Sequence, residues 1–479
     1  MGKLKAKWDQ IPIAAKVSIA YAVCSILQRC LSFVTLPLFT RLLTTEQYGQ
    51  YTVYQSWHGI LSIVLTLNLA YGSFSTAMVK FEKDRDGYIS SIEGICLMLS
   101  LIFLAVYLPF RKFWNGVFEL PTLFVIILVV ETLVSTATSL WAGKNRFQFK
   151  YKAIVFLTLA MAISSPTLAY ILVMNTEEKG YARILGYAGV TIIVGIFFYF
   201  LNAFRGKKFL NKEYWKYALG FNLPLIPYYL SQVVFNQSDR IMISHMVDTG
   251  KAAIYGVAYA LATILTFVMN AINNSYIPWY YGKIKEGKQE ENRKISLGIA
   301  LIMAILLLGV IWFTPEIIKI MAAPEYFEAI HVVPPVAVSI FLLLYSQFFI
   351  NVEFYYEEKL SLVWGSIGAA VANLVLNWIF IRIYGYVAAA YTTLVSYILF
   401  ALANYFTMKR ALNKRGIQDN AYNYRWLILL FFAFCAMTAI GALLYNYLVV
   451  RIIVMAIVFV IAIIKRNTLL NFYKVIKNK

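Results

Sequence analysis

The sequence predicts an all-α polytopic membrane protein of about fourteen transmembrane helices, arranged as two parallel six-helix lobes plus two C-terminal helices. Three observations predict it. Hydrophobic residues make up 61% of the 479-residue chain and charged residues only 14%, too little polar surface to coat a water-soluble particle of this size. The apolar residues come in near-continuous runs rather than in the alternation of a barrel strand, so helices satisfy the backbone amides that a bilayer leaves without water. Lys and Arg gather in alternate loops, the bias that marks cytoplasmic segments.

Taken in order, windows of roughly 20 apolar residues place spans at 13–39, 51–74, 89–109, 121–141, 153–174, 182–203, 218–243, 252–275, 295–314, 330–351, 362–382, 386–407, 425–446 and 449–464. Met1 to Gln10 is polar and basic with no cleavable signal pattern, so the first span is expected to serve as its own insertion signal. With the N-terminus inside, inner segments hold 32 Lys and Arg, outer segments hold 10, and Arg29 within the first span completes the 43. This alternation implies an even number of spans and two cytoplasmic termini. The net charge of +20 thus reports topology, because the basic residues sit in short loops and not on a nucleic-acid-binding domain.

Enzymatic chemistry is disfavoured. No loop is long enough to hold a folded catalytic domain, and there is no phosphate-binding G-x-x-x-x-G-K-[ST], dinucleotide fingerprint, Cys-x-x-Cys pair or helical His-Glu-x-x-His. Cys24, Cys30, Cys96 and Cys435 lie in apolar segments without metal or disulfide spacing and read as packing residues. His58, His245 and His331 are scattered. No metal or cofactor is expected, and transport is the natural class.

An internal repeat sharpens that class. Tyr48-Gly49, opening the second span, recurs as Tyr255-Gly256 opening the eighth, an offset of 207 residues or six spans. An even number of spans preserves orientation, so 1–210 and 211–412 read as parallel lobes, with 413–479 appended as the last two helices and a tail. The same offset lays Ser25, Arg29 and Ser32 on Gln232, Asn236 and Asp239. Steps of three and four residues put each set on one helical face: Ser18, Ala22, Ser25, Arg29 and Ser32 on the first helix; Asn222, Leu225, Tyr229, Gln232, Asn236 and Asp239 on the seventh. Two matched polar stripes predict a cavity between the lobes.

Polar groups inside spans are candidates for the site. Arg29 is the first, because a charge at mid-bilayer costs a few kcal/mol and must meet a partner or water; a packing ion pair is the competing reading. Glu131, on a stripe with Ser135 and Thr138, is its candidate partner or, if neutral, a proton carrier. Asp239 and Arg240, towards the outer end of the seventh helix, are either an interfacial pair or cavity-mouth groups for ion coupling or gating. Asn270, Asn273, Asn274, Gln347, Asn351, Asn373 and Asn377 can bind sugar hydroxyls or act as interhelical glue, and for any one of them glue is the commoner role. Pro224 and Pro227 interrupt the seventh helix and mark a hinge or a static kink. The 35 Tyr and 34 Phe suit both an aromatic belt and stacking on sugars.

The run Pro37-Leu38-Phe39-Thr40-Arg41-Leu42-Leu43-Thr44-Thr45-Glu46-Gln47-Tyr48-Gly49-Gln50-Tyr51 resembles the polysaccharide transporter family, which includes O-antigen and capsule repeat-unit flippases. Asn236-Gln237-Ser238-Asp239-Arg240, followed by Ile243 and by Ala253-Ile254-Tyr255-Gly256-Val257-Ala258-Tyr259, looks like the same family's seventh-to-eighth-helix motif. The resemblance implies the multidrug/oligosaccharidyl-lipid/polysaccharide exporter superfamily, alternating access, and the bacterial cytoplasmic (inner) membrane. It further implies a polyprenyl-pyrophosphate-linked oligosaccharide as substrate, H+ or Na+ as coupling ion, and membrane lipids and polysaccharide polymerase machinery as company. Arg29 would supply a cation for the pyrophosphate, with Ser25, Gln232, Asn236, Asn270 and Asn377 lining the cavity. An antiporter of cationic drugs is the first alternative, kept open by Glu131 and Asp239; a membrane-embedded glycosyltransferase or polymerase, or a scaffold, explains less.

Overall fold

The computed structural model describes residues 13–454 and 456, except for scattered side chains near the N-terminus and at 359–362. Every regular element among them is helical. Among the described residues ten helical stretches are long and apolar enough to cross a bilayer, the shortest of them Tyr424–Leu443 at 20 residues, which at 1.5 Å per residue matches a hydrocarbon core of about 30 Å. Phe156, Ile163, Phe197 and Phe204 point outward from two of them with more than half their surface exposed. Such faces need lipid, not water.

The chain divides into two compact units, 1–253 and 254–479. In the first, α1 (Ile13–Leu42) leads into α2 (Thr45–Thr66), α3 (Phe74–Lys80), α4 (Arg85–Tyr107), the short α5 (Arg111–Phe118), α6 (Thr122–Phe147), α7 (Tyr151–Met174), α8 (Lys179–Gly206), α9 (Lys212–Asn222) and α10 (Ile226–Met246). α11 (Thr249–Ala262) crosses the boundary. The second unit holds α12 (Leu265–Lys285), α13 (Asn292–Trp312), α14 (Thr314–Met321), α15 (Val333–Tyr355), α16 (Lys359–Tyr384), α17 (Ala388–Asn413) and α18 (Tyr424–Leu443), with residues 448–454 helical beyond it.

Where boundaries differ from the hydropathy reading, local chemistry explains the difference. α2 begins at Thr45 and not at 51, because Thr44 and Gln47 form a reciprocal capping box that ends the helix in polar residues no apolar window detects. It stops at Thr66 because Leu67 and Asn68 take left-handed backbone, φ 49° and 52°, and the chain restarts as α3. The seventh span is two helices. α9 ends at Asn222, a 3-10 turn over Leu223–Leu225 carries Pro224, and Pro227 sits at the start of α10, where a missing amide hydrogen costs nothing. The eighth span likewise breaks between Ala262 and Leu265.

Loops that the charge count assigns to one side meet at one end. In the first unit Asp84 binds Lys208 at 2.6 Å and the Tyr214 hydroxyl at 2.5 Å, and Asp86 binds Lys144 at 2.5 Å, joining segments expected inside. Leu69, Phe74, Met78, Tyr88, Ile92, Leu140 and Tyr214 are buried together behind them. A separate core of Tyr54, Leu61, Tyr107, Phe118, Phe124 and Leu128 backs the opposite end. In the second unit Arg293 donates to the Asn420 carbonyl, and Arg415 to Glu358 and the Tyr356 carbonyl, again joining expected inner loops.

Candidate functional site

α2 and α10 belong to the first unit, and neither is apolar enough to count among the ten spans. Both carry polar residues along their length, and they pack on each other. Ser56 of α2 lies 3.4 Å from Gln237 of α10, whose amide oxygen also accepts from Arg240 at 2.6 Å. Arg240 further donates to the Asn236 carbonyl at 3.1 Å, and Asn236 Nδ2 to the Gln232 carbonyl at 2.7 Å. Asn236 and Gln232 are half-buried, whereas Asp239 is only 1% exposed. Gln232, Asn236 and Arg240 thus share one hydrogen-bonded surface of α10, with Asp239 buried on the same helix.

Three tyrosines at three-residue steps on α2 carry a second layer. Tyr54 donates to the buried Glu131 carboxylate at 2.6 Å. Two steps towards the N-terminus, the Arg183 guanidinium of α8 sits over the rings of Tyr51 at 3.9 Å, Tyr48 at 4.1 Å and Phe39 at 4.6 Å. Arg183 is 4% exposed, and its Nε and Nη1 have no acceptor among the described residues. Its charge is held by a side-chain hydrogen bond with Tyr48, by ring quadrupoles and by packing. The hydropathy window 182–203 puts Arg183 at the very start of a span, where a basic residue draws no notice; the signal that points to it is the Tyr48-x-x-Tyr51-x-x-Tyr54 stripe.

Glu93 of α4 was also missed. It is fully enclosed, takes a 2.8 Å bond from Asn202 of α8 at one oxygen, and has no partner among the described residues at the other. Asn202 Nδ2 reaches the Ala137 carbonyl as well, at 3.1 Å, so this polar knot fastens α4, α6 and α8.

The Tyr-Gly pair acquires a physical reason. Tyr48 covers Arg183, and Gly49 lies so close to the start of α11 that a Cβ there would overlap the Thr249 carbonyl oxygen. Gly49→Ala is expected to destabilise the fold by about 1 to 3 kcal/mol through overpacking, read as a lower midpoint of thermal unfolding in detergent. An unchanged midpoint would show that this junction yields readily to an added methyl group.

Beside that junction, Ser244 of α10 donates to Glu119 Oε2 in a short hydrogen bond and lies 3.1 Å from Thr249 Oγ1. His245 Nδ1 is 3.0 Å from Glu119 Oε1, and its Nε2 is 2.8 Å from the Val117 carbonyl oxygen. The Glu119 carboxylate pushes the His245 pKa above its ordinary value. At the other end of α10, Asn222 donates to Ser73 at 2.7 Å and Tyr229 is hydrogen-bonded to Asn68, which ties the Pro224 break to the α2–α3 break.

The remaining expected site residues are placed as follows. The side chains of Ser25 and Arg29 lie outside the described residues, and with them the Arg29–Glu131 pairing; α1 itself is helical through both positions. In the second unit Asn270 is exposed, while Asn377 is buried and hydrogen-bonded to Asn373 at 3.2 Å and to Thr392. Asn373 reaches Thr393 at 3.2 Å, and Asn273 pairs with Asn351 at 2.8 Å. These amides join α16 to α17 and α12 to α15. Among the described residues no group of His, Cys, Asp or Glu is gathered to hold a metal.

Among the described residues, long apolar helices enclose polar faces and buried charges, which defines a polytopic membrane protein. The solved structures agree on the fold. The chain resembles the lipid II flippase MurJ in an inward closed conformation, at 13% identity and a TM-score of 0.63 over 94% of this chain and 99% of that one. An inward-facing multidrug resistance MATE family transporter of the MOP superfamily matches at 13% identity and a TM-score of 0.59 over 83% and 98%. Residues 14–281 match the polysaccharide biosynthesis protein family, and the chain belongs to it. Lsg locus protein 1 of Haemophilus influenzae is 26% identical over 63% of this chain and 74% of its own length; an uncharacterized membrane protein of that organism is 23% identical over 60% and 71%.

Proposed function

We infer that this protein is a flippase that carries a polyprenyl-pyrophosphate-linked oligosaccharide repeat unit from the inner to the outer leaflet of the bacterial cytoplasmic membrane, for surface polysaccharide synthesis. Membership of the polysaccharide biosynthesis family over more than half of the chain is the observation that carries the reading; the MurJ-like fold supports it. Both termini lie in the cytoplasm, as the Lys and Arg bias indicates. Lobes 1–210 and 211–412 rock about the bound substrate, with 413–479 appended, and the breaks at Pro224 and Pro227 take up the bending.

Arg29 binds the pyrophosphate in this reading, since a guanidinium pairs bidentately with phosphate oxygens where water is scarce. Ser25, Gln232, Asn236 and Asn270 meet the sugar hydroxyls, while Asn377, enclosed between α16 and α17, holds those helices together. Glu131, Asp239 and Arg240 couple an H+ or Na+ gradient to the movement. Products pass to polysaccharide polymerase machinery on the far side.

The test follows lipid-linked oligosaccharide in cells that lack the protein, carry it, or carry Arg29→Ala. Completed repeat units are expected to accumulate on the cytoplasmic leaflet without the protein and to clear only with the intact chain. Unchanged lipid-linked sugars and surface polysaccharide in the deletion strain would sink the flippase reading and move attention to efflux of cationic drugs. Full transport by a normally inserted Arg29→Ala chain would remove only the role of Arg29.

A further inference from the structure

The outer-end contact between α10 and the α5–α6 turn has a hydrogen-bond pattern that counts protons. His245 is bracketed by two acceptors, a carboxylate oxygen of Glu119 on Nδ1 and the carbonyl oxygen of Val117 on Nε2. A neutral imidazole has one N–H and can serve only one of them; the imidazolium has two and serves both. Ser244 and Thr249 extend the same contact to the start of α11. Glu119 is held in left-handed backbone at φ 52°, which a non-glycine residue adopts at a cost, and the bonds from Ser244 and His245 offset it.

We propose that His245, Glu119 and the Val117 carbonyl form a proton-binding latch that holds this end of the first unit closed when His245 is protonated and releases it when His245 is neutral. The latch joins α10, of the seventh span, to the α5–α6 turn before the fourth, and so spans the two lobes proposed above; its role as a gate rests on that reading. The ligand is a proton from the aqueous phase. It has access, because 34% of the His245 side chain and 27% of the Glu119 side chain remain exposed.

The charged surroundings fix the sign. Glu119 faces the ring from the α5–α6 turn and favours the imidazolium. On the α10–α11 junction Asp248 accepts from the Lys251 amide at 2.6 Å, and Arg111 and Lys112 lie at the far end of α5. The latched ring binds its proton more tightly than a released one. Closure is therefore fully present below the ordinary imidazole pKa and is lost as pH rises through the latched value. A tenfold difference in proton affinity makes about a tenfold difference in the closed-to-open ratio between the two pH extremes.

A Cβ at Gly250 would stand 3.4 Å from the Cβ of Thr45, so that pair, next to Thr249 but away from His245, Glu119 and Val117, reports closure while leaving both bonds of the imidazole intact. Nitroxide labels on Thr45→Cys and Gly250→Cys, in the full chain with its four native cysteines replaced and set in lipid nanodiscs, are followed by continuous-wave spectra from pH 5 to 9. Strong dipolar broadening is expected at low pH and its loss at high pH, with no pH response in His245→Gln or Glu119→Gln. The same pH response in either variant, or none in the parent, would overturn the latch. A second measurement uses the unlabelled chain: of its three histidine NMR signals, the one lost in His245→Gln is expected to titrate above the ordinary imidazole value, and titration at or below that value would also overturn it. Neither readout involves transport, so failure of the latch and failure of the flippase reading are distinguishable.

Discussion

Replacing Arg183 with alanine is expected to lower the stability of the folded protein by about 3 kcal/mol, the sum of a desolvated cation–π contact worth about 2 kcal/mol and a cavity term. The guanidinium sits 3.9 to 4.6 Å from the ring centres of Tyr51, Tyr48 and Phe39, and it fills the space where the end of α1, the start of α2 and the start of α8 converge. Arg183→Lys should recover only part of the loss, because an ammonium is a compact, strongly hydrated point charge without the planar face that packs on aromatic rings. Tyr51→Phe keeps the ring and should be nearly silent, whereas Tyr51→Ala should be costly and non-additive with Arg183→Ala, as neighbours sharing one interaction are. Thermal unfolding of the four variants and the double mutant in detergent measures all of this. An Arg183→Ala chain that melts with the parent would show that the cage contributes no net stability.

The contrast between what could and could not be read from sequence follows the range of the interactions. Apolar windows and Lys/Arg alternation are local and additive, so most long helices and the pairing of loop ends emerged directly. Caps are local but polar, which is why α2 begins at Thr45 and not where hydrophobicity rises. Pro224 and Pro227 announced an interruption, yet nothing nearby said that Asn222 would terminate a separate helix and dock on Ser73, 149 residues away in sequence. Glu131 stood out as an acid in an apolar run, but its partner Tyr54 looked like one tyrosine among 35. Glu93 with Asn202 and His245 with Glu119 are separated by more than a hundred residues, and neither pair leaves a periodic trace. The motif residues fall between these cases: Tyr48-Gly49 was legible as a pattern, while its reason, a buried arginine and a close carbonyl, is purely tertiary.

Arg451 is the second position at which one substitution should be severe. Its guanidinium is 1% exposed and donates to both oxygens of Glu316 at 2.8 and 2.6 Å, to the Trp312 carbonyl at 2.5 Å and to the Tyr445 carbonyl at 3.2 Å. Trp312 is the last residue of α13, so Arg451 satisfies a carbonyl that the helix leaves open and adds positive charge at its C-terminal end. Glu316 sits in the first turn of α14, where the helix dipole favours an anion. Arg451→Ala leaves both groups without their partner and is expected to cost about 3 kcal/mol, the low end for a broken buried pair because Glu316 can turn towards water. Arg451→Met, which keeps the volume, should cost less. Charge reversal of the pair should not rescue, since a glutamate at 451 cannot donate to the two carbonyls. The bond to Arg451 holds the Glu316 carboxyl below the ordinary carboxylate range, so its stabilisation is fully present above that range and fades as pH falls through the lowered value. Melting curves across an acid series should show the parent and Arg451→Ala well separated at neutral pH and converging in acid; a constant gap would mean that the backbone carbonyls, and not Glu316, carry the effect.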